Sequence, residues 1–319
     1  MKLLVTGGAG FIGSNFILYM LDRYPCDRIV CLDKLTYAGN LFYLEKAKNN
    51  PRFSFVKGDI CDKSFVKQLF AKEKFDTVVN FAAQSHVDRS IASSADFIHT
   101  NVYGVSLLLD TCLKYGVTRF HQISTDEVYG ESLTDIPFTE SSPLDPGNPY
   151  SASKAAADML VMSYFRTHGL NVTITRSTNN YGPHQHTEKL IPRLITNALS
   201  GGTLPIYGDG SNIRDWLYVT DHCAAVDAVV RKGKAGEIYN VCARNERTNL
   251  EIARLVCKTV GVGEGQIVFT PDRKGHDKRY FVSDAKIRTR LGWKTQTNFE
   301  TGFSSTVKWY KDLLKEKTL

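Results

Sequence analysis

Short apolar runs alternate with stretches of helical periodicity along the first half of the chain. Residues 2–6 are predicted to form a buried strand, and the apolar positions from Phe11 to Leu21 recur with helical spacing. The same alternation predicts strands at residues 28–32, 53–57, 77–81, 119–123 and 171–176, and helices at residues 64–71, 101–115 and 150–168. Because strands alternating with helices form parallel sheets covered on both faces, the pattern predicts an α/β fold with a doubly wound parallel sheet.

The regular pattern weakens beyond Arg176, where loops rich in Asn, Pro, Gly and His begin. A helix is predicted near Asp221, which would be its N-cap, and a strand at residues 238–241 is predicted to rejoin the sheet. We therefore expect a first domain of residues 1–176 plus about 215–242, and a smaller mixed α/β lobe of residues 177–214 and 243–319. Loops carry specificity more often than scaffold does, so this lobe is expected to bind the substrate.

Composition narrows the class of protein. The 319 residues are 42% hydrophobic, enough for one large or two closely joined domains. The net charge is +7, but Lys and Arg are spread along the chain, so a small anionic ligand is expected rather than nucleic acid. The N-terminus lacks the apolar core of a signal peptide, and no run approaches the roughly 18 apolar residues of a membrane span. With seven cysteines and no CxxC pair, we expect a cytoplasmic protein without a membrane partner.

A glycine-rich turn lies between the first predicted strand and the first predicted helix. The run GGAGFIG contains Gly7, Gly10 and Gly13, which permit a tight turn and close approach of the backbone to a pyrophosphate. Asp33 stands 20 residues beyond Gly13, where a carboxylate bonds adenosine ribose hydroxyls and repels a 2′-phosphate. The pattern predicts a Rossmann-type fold that binds NAD rather than NADP, with Lys34 as the feature that argues against this preference.

Tyr150 and Lys154 stand four residues apart at the start of a predicted helix, which places both side chains on one face. A free tyrosine has a pKa of about 10, so it acts as a base at neutral pH only beside cations. Lys154 and an oxidised nicotinamide would supply that charge. An isolated YxxxK is an ordinary helix start, and it is the dinucleotide fold that favours a hydride-transfer site.

Two adjacent carboxyls, Asp126 and Glu127, follow the strand that precedes this helix. Neighbouring residues of a strand point to opposite faces, so both reach one substrate only if the strand has ended there. In a shared site, repulsion and different surroundings keep one carboxyl protonated and the other ionised, as an acid and a base require. The alternative is a solvated surface pair.

The glycine turn and YxxxK together resemble the extended short-chain dehydrogenase/reductase family. The triplet Thr125, Asp126 and Glu127 marks its nucleotide-sugar 4,6-dehydratase branch. The similarity to the dTDP-glucose 4,6-dehydratases covers nearly the whole chain, through the runs LDKLTYAGN, FAAQSHVDRS, NNYGPHQHTEKLIP, YGDGSNIRDW and DRKGHDKRY. One departure is Gln84, where the family run often has glutamate, so that a hydrogen-bonding group is kept and a charge is lost.

The resemblance implies a reaction that the residue chemistry also supports. With Tyr150 taking the O4 proton and NAD the C4 hydride, C5 becomes α to a ketone, so a carboxylate is able to remove its hydrogen. By resemblance, Glu127 is the base at C5, Asp126 the acid at O6, and Thr125 bonds O4. The sequence alone does not assign the two carboxyls. Return of the hydride to C6 leaves a 4-keto-6-deoxy sugar and regenerates NAD.

The resemblance also implies the binding residues. Cofactor contacts are expected from Gly7, Gly10, Phe11, Ile12, Gly13, Asp33, Lys34, Leu35, Thr36, Asp59, Ile60, Phe81, Ala82, Ala83, Ser85, Thr100, Tyr150, Lys154 and Asn180. Substrate contacts are expected from Ser85, Thr125, Asn179, Lys189, Leu190, Pro205, Tyr207, Arg214, Asn249, Arg273 and His276, with the two arginines facing a diphosphate. No metal is expected, because no cysteine or carboxylate cluster completes a ligand set for His184 and His186.

Three function hypotheses stay open at this point: a 4,6-dehydratase acting on dTDP-glucose or UDP-glucose, a nucleotide-sugar 4-epimerase, and a non-catalytic protein controlled by NAD occupancy. In an epimerase, Asp126 and Glu127 would be bystanders. The intact set of Tyr, Lys, Asp and Glu favours the dehydratase. The resemblance implies a homodimer joined through residues 101–115 and 150–168, and a product that feeds rhamnose and other deoxysugar pathways.

Overall fold

The computed structural model describes residues 1–316 of the chain, and the strands within this range form three sheets. The strands are β1 (Lys2–Thr6), β2 (Arg28–Asp33), β3 (Phe53–Lys57), β4 (Thr77–Asn80), β5 (Arg119–Thr125), β6 (Val172–Ser177), β7 (Asn179–Tyr181), β8 (Leu204–Tyr207), β9 (Ile213–Tyr218), β10 (Glu237–Val241), β11 (Glu246–Thr248) and β12 (Ile267–Thr270).

Helices connect these strands and cover the largest sheet. The α-helices are α1 (Phe11–Arg23), α2 (Lys63–Glu73), α3 (Val87–Ala92), α4 (Ala95–Ile98), α5 (Gly104–Tyr115), α6 (Pro149–His168), α7 (Leu190–Leu199), α8 (Val219–Lys232), α9 (Asn249–Val260), α10 (Ala285–Leu291) and α11 (Phe299–Glu316). Short 3-10 helices span Leu41–Ala47, Asp126–Tyr129 and Glu264–Gln266, and a π-helical turn spans His99–Tyr103.

The largest sheet has the order β3-β2-β1-β4-β5-β6-β10, and all of its strand pairs are parallel. Residues of α2, α5 and α6 pack in one apolar cluster on it, while residues of α1 and α8 pack in another. The direction of strand succession reverses between β1 and β4, which leaves a crevice at the carboxyl ends of these strands. The predicted Rossmann-type doubly wound sheet is confirmed.

The predicted elements of the first 176 residues match the structure closely. The strands predicted at residues 2–6 and 53–57 have the predicted bounds, whereas β5 continues to Thr125, two residues beyond the prediction. The helix predicted at residues 101–115 begins inside the π-helical turn. The strand predicted at residues 238–241 is confirmed as part of β10, which pairs parallel with β6 at the edge of the sheet.

The helix predicted near Asp221 is confirmed, but the prediction that Asp221 is its N-cap is wrong. Helix α8 begins at Val219, two residues before Asp221, and its N-cap is Tyr218. The Asp221 carboxylate instead accepts hydrogen bonds from the backbone N–H groups of Gln296 and Thr297, at 3.1 and 3.0 Å. A carboxylate that bonds a distant segment cannot be recognised from the local sequence.

Five of the strands beyond β6 form two small sheets with an apolar cluster of their own, whereas β10 belongs to the large sheet. Strands β11, β9 and β7 form one sheet, and β12 pairs with β8 in the other. Helices α7, α9 and α11 contribute the residues that fill the cluster, among them Ile195, Ile252 and Phe303. The domain bounds expected near residues 176, 214 and 242 stay a prediction.

Helices with both the length and the apolar character needed to cross a bilayer are absent from residues 1–316.

Candidate active site

The glycine turn holds the start of α1 against the end of β4. Gly7 has a positive φ of 64°, and a Cβ there would lie 2.6 Å from the backbone N of Ala82. A Cβ on Gly13 would lie 2.4 Å from the carbonyl oxygen of Gly7, so neither position has room for a side chain. Gly10 is the N-cap of α1 and supplies no capping side chain. The first N–H groups of α1 are thereby available to an anionic group.

Asp33 lies at the end of β2 and faces this turn. Its carboxylate accepts hydrogen bonds from the backbone N–H of Ala9 at 2.9 Å and of Leu35 at 2.7 Å. Burial nevertheless raises the pKa of Asp33 above its usual value. The neighbouring Lys34 ammonium lies 2.6 Å from an oxygen of Asp59, so its charge is already paired within the protein. Lys34, the feature of the sequence that argued against NAD, is thus paired with Asp59 rather than free to pair with a 2′-phosphate.

A cavity of about 320 Å³ opens at the carboxyl ends of β1, β2, β4, β5 and β6. All five predicted catalytic residues line it: Thr125, Asp126, Glu127, Tyr150 and Lys154. It is also lined by every predicted cofactor residue except Leu35, whose side chain packs against the apolar cluster of α1 and α8. The wall further includes Ser85, Asn179 and Lys189 of the predicted substrate set, and the Lys189 ammonium donates to the Ser85 carbonyl at 2.7 Å.

Asp126 and Glu127 lie in the 3-10 turn that begins where β5 ends, at Thr125. The Thr125 hydroxyl accepts from the Glu127 backbone N–H at 3.3 Å and donates to the Asp126 carboxylate at 3.2 Å. Because the alternation of a strand stops at this point, both carboxyls line the same cavity. The strand therefore ends early enough for Asp126 and Glu127 to share one site, as an acid–base pair requires.

The two carboxyls have different electrostatic surroundings. Burial and the charge of Glu127 raise the pKa of Asp126 well above its usual value. Burial also raises the pKa of Glu127, but the cations Arg214, Lys189 and Arg273 oppose this rise. In this environment, Asp126 retains a proton more readily than Glu127 does.

Tyr150 and Lys154 lie on the first turns of α6. The Lys154 ammonium donates to the Ile123 carbonyl at 2.5 Å, and burial lowers its pKa to about 8, although the Asp158 charge opposes this. Burial and the charges of Glu127 and Asp126 raise the pKa of Tyr150, while the Thr125 hydroxyl favours the phenolate. Tyr150 therefore needs a further cation at the cavity before it acts as a base.

The remaining predicted substrate residues lie outside this cavity wall. Arg273 places its guanidinium 5.3 Å from the centre of the Tyr207 ring and 3.7 Å from an oxygen of Asp88. The ring of His276 packs edge-on against Tyr207 at 6.2 Å. Leu190 and Asn249 are the first residues of α7 and α9, and Pro205 lies in β8.

Arg214 connects the substrate residues to the catalytic turn. Its guanidinium lies 4.5 Å from the centre of the Tyr280 ring and donates to the carbonyl of Asp277 at 2.8 Å. The charge of Arg214 opposes the rise in the pKa of Glu127. The Asp277 carboxylate accepts from the Tyr280 hydroxyl at 2.7 Å. Sequence reasoning missed both of these supporting residues, although they lie within the segment DRKGHDKRY.

Other residues of the cavity wall were also missed. Gln185, His186 and Glu188 line it, and the Glu188 carboxylate accepts from the Tyr37 hydroxyl at 3.2 Å. The sequence signal that could have identified Gln185, His186 and Glu188 is their position in the loop that carries Lys189. Gln84, which the sequence singled out only as a departure from the family run, lines the cavity too, with its backbone N–H bonded to the Asn101 side chain at 2.8 Å. Within residues 1–316, His, Cys, Asp and Glu side chains form no cluster of three suited to a metal.

Comparison with known proteins identifies the family. A family model described as GDP-mannose 4,6 dehydratase matches residues 4–306. The chain belongs to this dehydratase family.

Similar proteins match this dehydratase along nearly its whole length. The low-salt glycan biosynthesis protein Agl12 of Haloferax volcanii is 52% identical, with 97% of this chain and 98% of that protein aligned. A dTDP-glucose 4,6-dehydratase of Haemophilus influenzae is 48% identical, with 97% and 98% aligned. The crystal structure of DesIV, a dTDP-glucose 4,6-dehydratase from Streptomyces venezuelae with NAD and TYD bound, has a TM-score of 0.95 at 47% identity, covering 98% of this chain and 97% of that one.

The predicted membership of the nucleotide-sugar dehydratase branch is confirmed. The family model and these two dehydratases name different nucleotides, GDP and dTDP.

Proposed function

We propose that the protein is an NAD-dependent dTDP-glucose 4,6-dehydratase, which converts dTDP-D-glucose to dTDP-4-keto-6-deoxy-D-glucose and water. The observation that carries this proposal is the turn at the end of β5, which brings Asp126 and Glu127 into one cavity with Tyr150 and Lys154. The names of the curated relatives support dTDP-glucose as the substrate.

The cofactor site fits a dinucleotide. The absence of room for a Cβ at Gly7 and Gly13 suits close approach of a pyrophosphate to the start of α1. Asp33 would bond the adenosine ribose, and Lys34 is held by Asp59. NAD would accept a hydride from C4 of the sugar and return it to C6. NAD bound in the DesIV structure supports the same cofactor here.

Tyr150 takes the proton from O4 of the sugar as the C4 hydride leaves. Lys154 stabilises the phenolate form of Tyr150 that accepts this proton, and its position is fixed by the Ile123 carbonyl. Thr125, which lies beside Tyr150, would bond O4. This step turns C4 into a ketone and makes the C5 hydrogen acidic.

Glu127 then removes the C5 proton, and Asp126 protonates the departing O6, so that water is lost across C5 and C6. The assignment follows the electrostatics of the pair, because three cations favour ionised Glu127 while Asp126 is the more readily protonated group. The hydride returns to C6 and a proton to C5, which completes the 4-keto-6-deoxy sugar. No net oxidation occurs.

The segments beyond β6 would hold the nucleotide diphosphate. Arg214 and Arg273, whose charges both act on Glu127, would supply planar, charged donors to the diphosphate, and Tyr207 would stack near the base. Under this proposal, residues 1–176 with about 215–242 bind NAD, and residues 177–214 with 243–319 bind the nucleotide sugar.

The protein would act as a cytoplasmic homodimer whose product supplies rhamnose and other deoxysugars. The dimer contact would involve α5 and α6 with the turns beside them. Exposed apolar side chains support this surface, since Met159, Ile98 and Tyr103 are 66%, 55% and 45% exposed.

The proposal is tested with dTDP-glucose carrying deuterium at C4. The expected product is the 4-keto-6-deoxy sugar with deuterium at C6, because the hydride that leaves C4 returns within the same site. A product without deuterium at C6 would contradict internal return, and formation of the C4 epimer would indicate an epimerase. Parallel assays with UDP-glucose and GDP-mannose decide the nucleotide, and faster turnover of either would overturn the dTDP assignment.

A further inference from the structure

A buried polar network beside the cavity joins the turn Asp126–Tyr129 to helix α6. We call this turn the acid–base turn, and Tyr150 with Lys154 on α6 the oxidation pair. The Asp158 carboxylate, one helical turn beyond Lys154 on α6, accepts from the Ser124 hydroxyl at 3.0 Å and from the Arg176 guanidinium at 2.8 Å. Arg176 also donates to the Tyr129 hydroxyl at 2.9 Å, and Tyr129 donates to Asn240 at 2.8 Å. We call these five residues the Asp158 network.

The members of the network come from five different elements. Asp158 belongs to α6, Ser124 to β5, Tyr129 to the 3-10 turn, Arg176 to β6 and Asn240 to β10. Ser124 directly precedes Thr125, and Tyr129 is the last residue of the turn that carries Asp126 and Glu127. The network therefore holds both ends of the acid–base turn against the helix that carries Tyr150 and Lys154.

Stability alone does not account for such a network. The side chains of Arg176 and Asp158 are only 4% and 1% exposed, and one Asp158 oxygen has no hydrogen-bond partner. A buried ion pair gains little over well-packed apolar residues, because both charges lose their hydration. A demand for precise relative position explains the retained charges better.

The oxidation pair has supports of its own. Helix α6 starts with a capping box formed by Asn148 and Ser151, and Lys154 is bonded to the Ile123 carbonyl. At the far end of the acid–base turn, Tyr129 stacks on Phe138 at 5.3 Å and packs in an apolar cluster with Val282, but its hydroxyl bonds only members of the network. Loosening the network should therefore displace Asp126 and Glu127 more than Tyr150 and Lys154.

We propose that Asp158, Arg176, Tyr129 and Ser124 are positioning residues that set the acid–base turn in register with α6, and thereby control elimination more than oxidation. The proposal rests on the dehydratase function given above. None of these side chains takes a proton from the substrate in this scheme. Ser124, Tyr129 and Arg176 act through geometry, whereas the Asp158 charge also opposes the fall in the pKa of Lys154. Displacements of about 1 Å are enough to slow a chemical step by up to roughly 100-fold.

The test is a Tyr129→Phe substitution, which removes the hydroxyl and keeps the stacked ring. Holoenzyme is mixed rapidly with dTDP-glucose, and the absorbance of the reduced nicotinamide is followed together with keto-sugar formation. We expect reduction at the wild-type rate, elimination slowed by roughly 10-fold, and accumulation of the reduced cofactor. A role in stability alone would not change the balance between the two steps.

The matched control is Tyr24→Phe. The Tyr24 hydroxyl also bonds an ion-paired aspartate, Asp227, at 2.6 Å, and Arg231 stacks on its ring, but it stands at the C-terminal end of α1, which carries none of the predicted catalytic residues. This variant should show the wild-type balance of reduction and elimination. If Tyr129→Phe slows both steps equally, or neither, the proposal is overturned.

Two further outcomes are separable. If Tyr129→Phe does not fold, Ser124→Ala removes the bond at the other end of the turn and decides by the same criterion. If wild-type protein neither reduces its cofactor nor forms a keto sugar, the dehydratase function itself has failed. Wild-type turnover with an unchanged balance in both variants rejects only the positioning role.

Discussion

At the scale of single residues, Asp126 and Glu127 are neighbours in sequence with unequal surroundings. The charges of Glu127 and Asp215 add to burial in raising the pKa of Asp126, and Arg214 opposes them. Three cations oppose the effect of burial on Glu127. This difference makes separate roles for the two carboxyls possible and leads to two predictions.

Glu127→Gln should lower keto-sugar formation by roughly 10² to 10⁴-fold, because the amide cannot remove the C5 proton. Reduction of the cofactor on mixing with dTDP-glucose should persist, since Tyr150 and Lys154 are unchanged. Stopped-flow absorbance and product analysis measure the two steps. The control is Glu45→Gln, an exposed carboxyl outside the cavity wall that pairs with Lys48, which should keep wild-type turnover. Full activity of Glu127→Gln would exclude it as the base.

Asp126→Asn should stabilise the protein increasingly as the pH rises. The folded-state pKa of Asp126 is raised, so the stability that this group contributes is fully present below its unfolded pKa of about 4 and is lost as the pH rises towards the raised value. The advantage of the asparagine should therefore grow by about 1.4 kcal/mol per pH unit within that window. Urea unfolding at several pH values measures it. The exposed Asp22→Asn serves as control, and a constant difference for Asp126→Asn would contradict the buried-acid description.

At the scale of elements, the first turn of α6 decides where the oxidation pair lies. Asn148 accepts from the Ser151 backbone N–H at 3.0 Å, and the Ser151 hydroxyl accepts from the Asn148 backbone N–H at 3.3 Å. Pro149 occupies the first helical position, where its missing N–H costs nothing. Because Tyr150 is the second residue of the helix, fraying of this turn would move it directly.

Asn148→Ala should lower the free energy of unfolding by about 1 kcal/mol and reduce kcat more than it changes KM. Asn148→Ser, which keeps a capping oxygen, should restore most of both. Asp62→Ala removes the cap of α2, where the carboxylate accepts from the Phe65 N–H at 3.0 Å, and should reduce stability without reducing kcat. Denaturant titration and steady-state kinetics separate the cases. An equal loss of kcat in Asp62→Ala would show that Asn148 acts only through global stability.

At the scale of the whole molecule, residues from distant parts of the chain meet at one catalytic turn. The charges of Lys189, Arg214 and Arg273 act on Glu127, yet they come from three separate segments beyond β6. The return of the chain through α8 and β10 to the large sheet places these segments over the carboxyl ends of its strands. The outer surface near α6 carries exposed apolar side chains, which are typical of a surface that contacts another protein chain.

Met159→Glu should convert the proposed dimer to a monomer, because a charge on the exposed face of α6 would be buried without a partner. Analytical ultracentrifugation over a range of concentrations measures the mass. Leu133→Glu is the matched control, since Leu133 is 84% exposed and lies outside both predicted interface helices. A wild-type monomer, or a Leu133→Glu monomer with a Met159→Glu dimer, would reject the proposed surface.

The sequence by itself determined the large sheet and the chemistry at its edge. The bounds of β1 and β3 followed from apolar periodicity, because burial of a parallel strand is recorded in consecutive residues. The glycine turn, Asp33 and the Tyr150–Lys154 pair were recognisable for a similar reason, since each depends on spacing within one β-α-β unit or one helix.

Only the tertiary structure decided what depends on contacts between distant segments. The start of α8 was misplaced because the Asp221 carboxylate bonds residues 296 and 297, and strands of three residues such as β7 and β11 leave no local period to detect. From the sequence, we expected Asp126 and Glu127 to share a site only if β5 ends before Asp126. The fold ends β5 at Thr125, so both carboxyls reach the cavity. It also brings distant cations close to Glu127, which distinguishes the two carboxyls because charges act through space rather than along the chain.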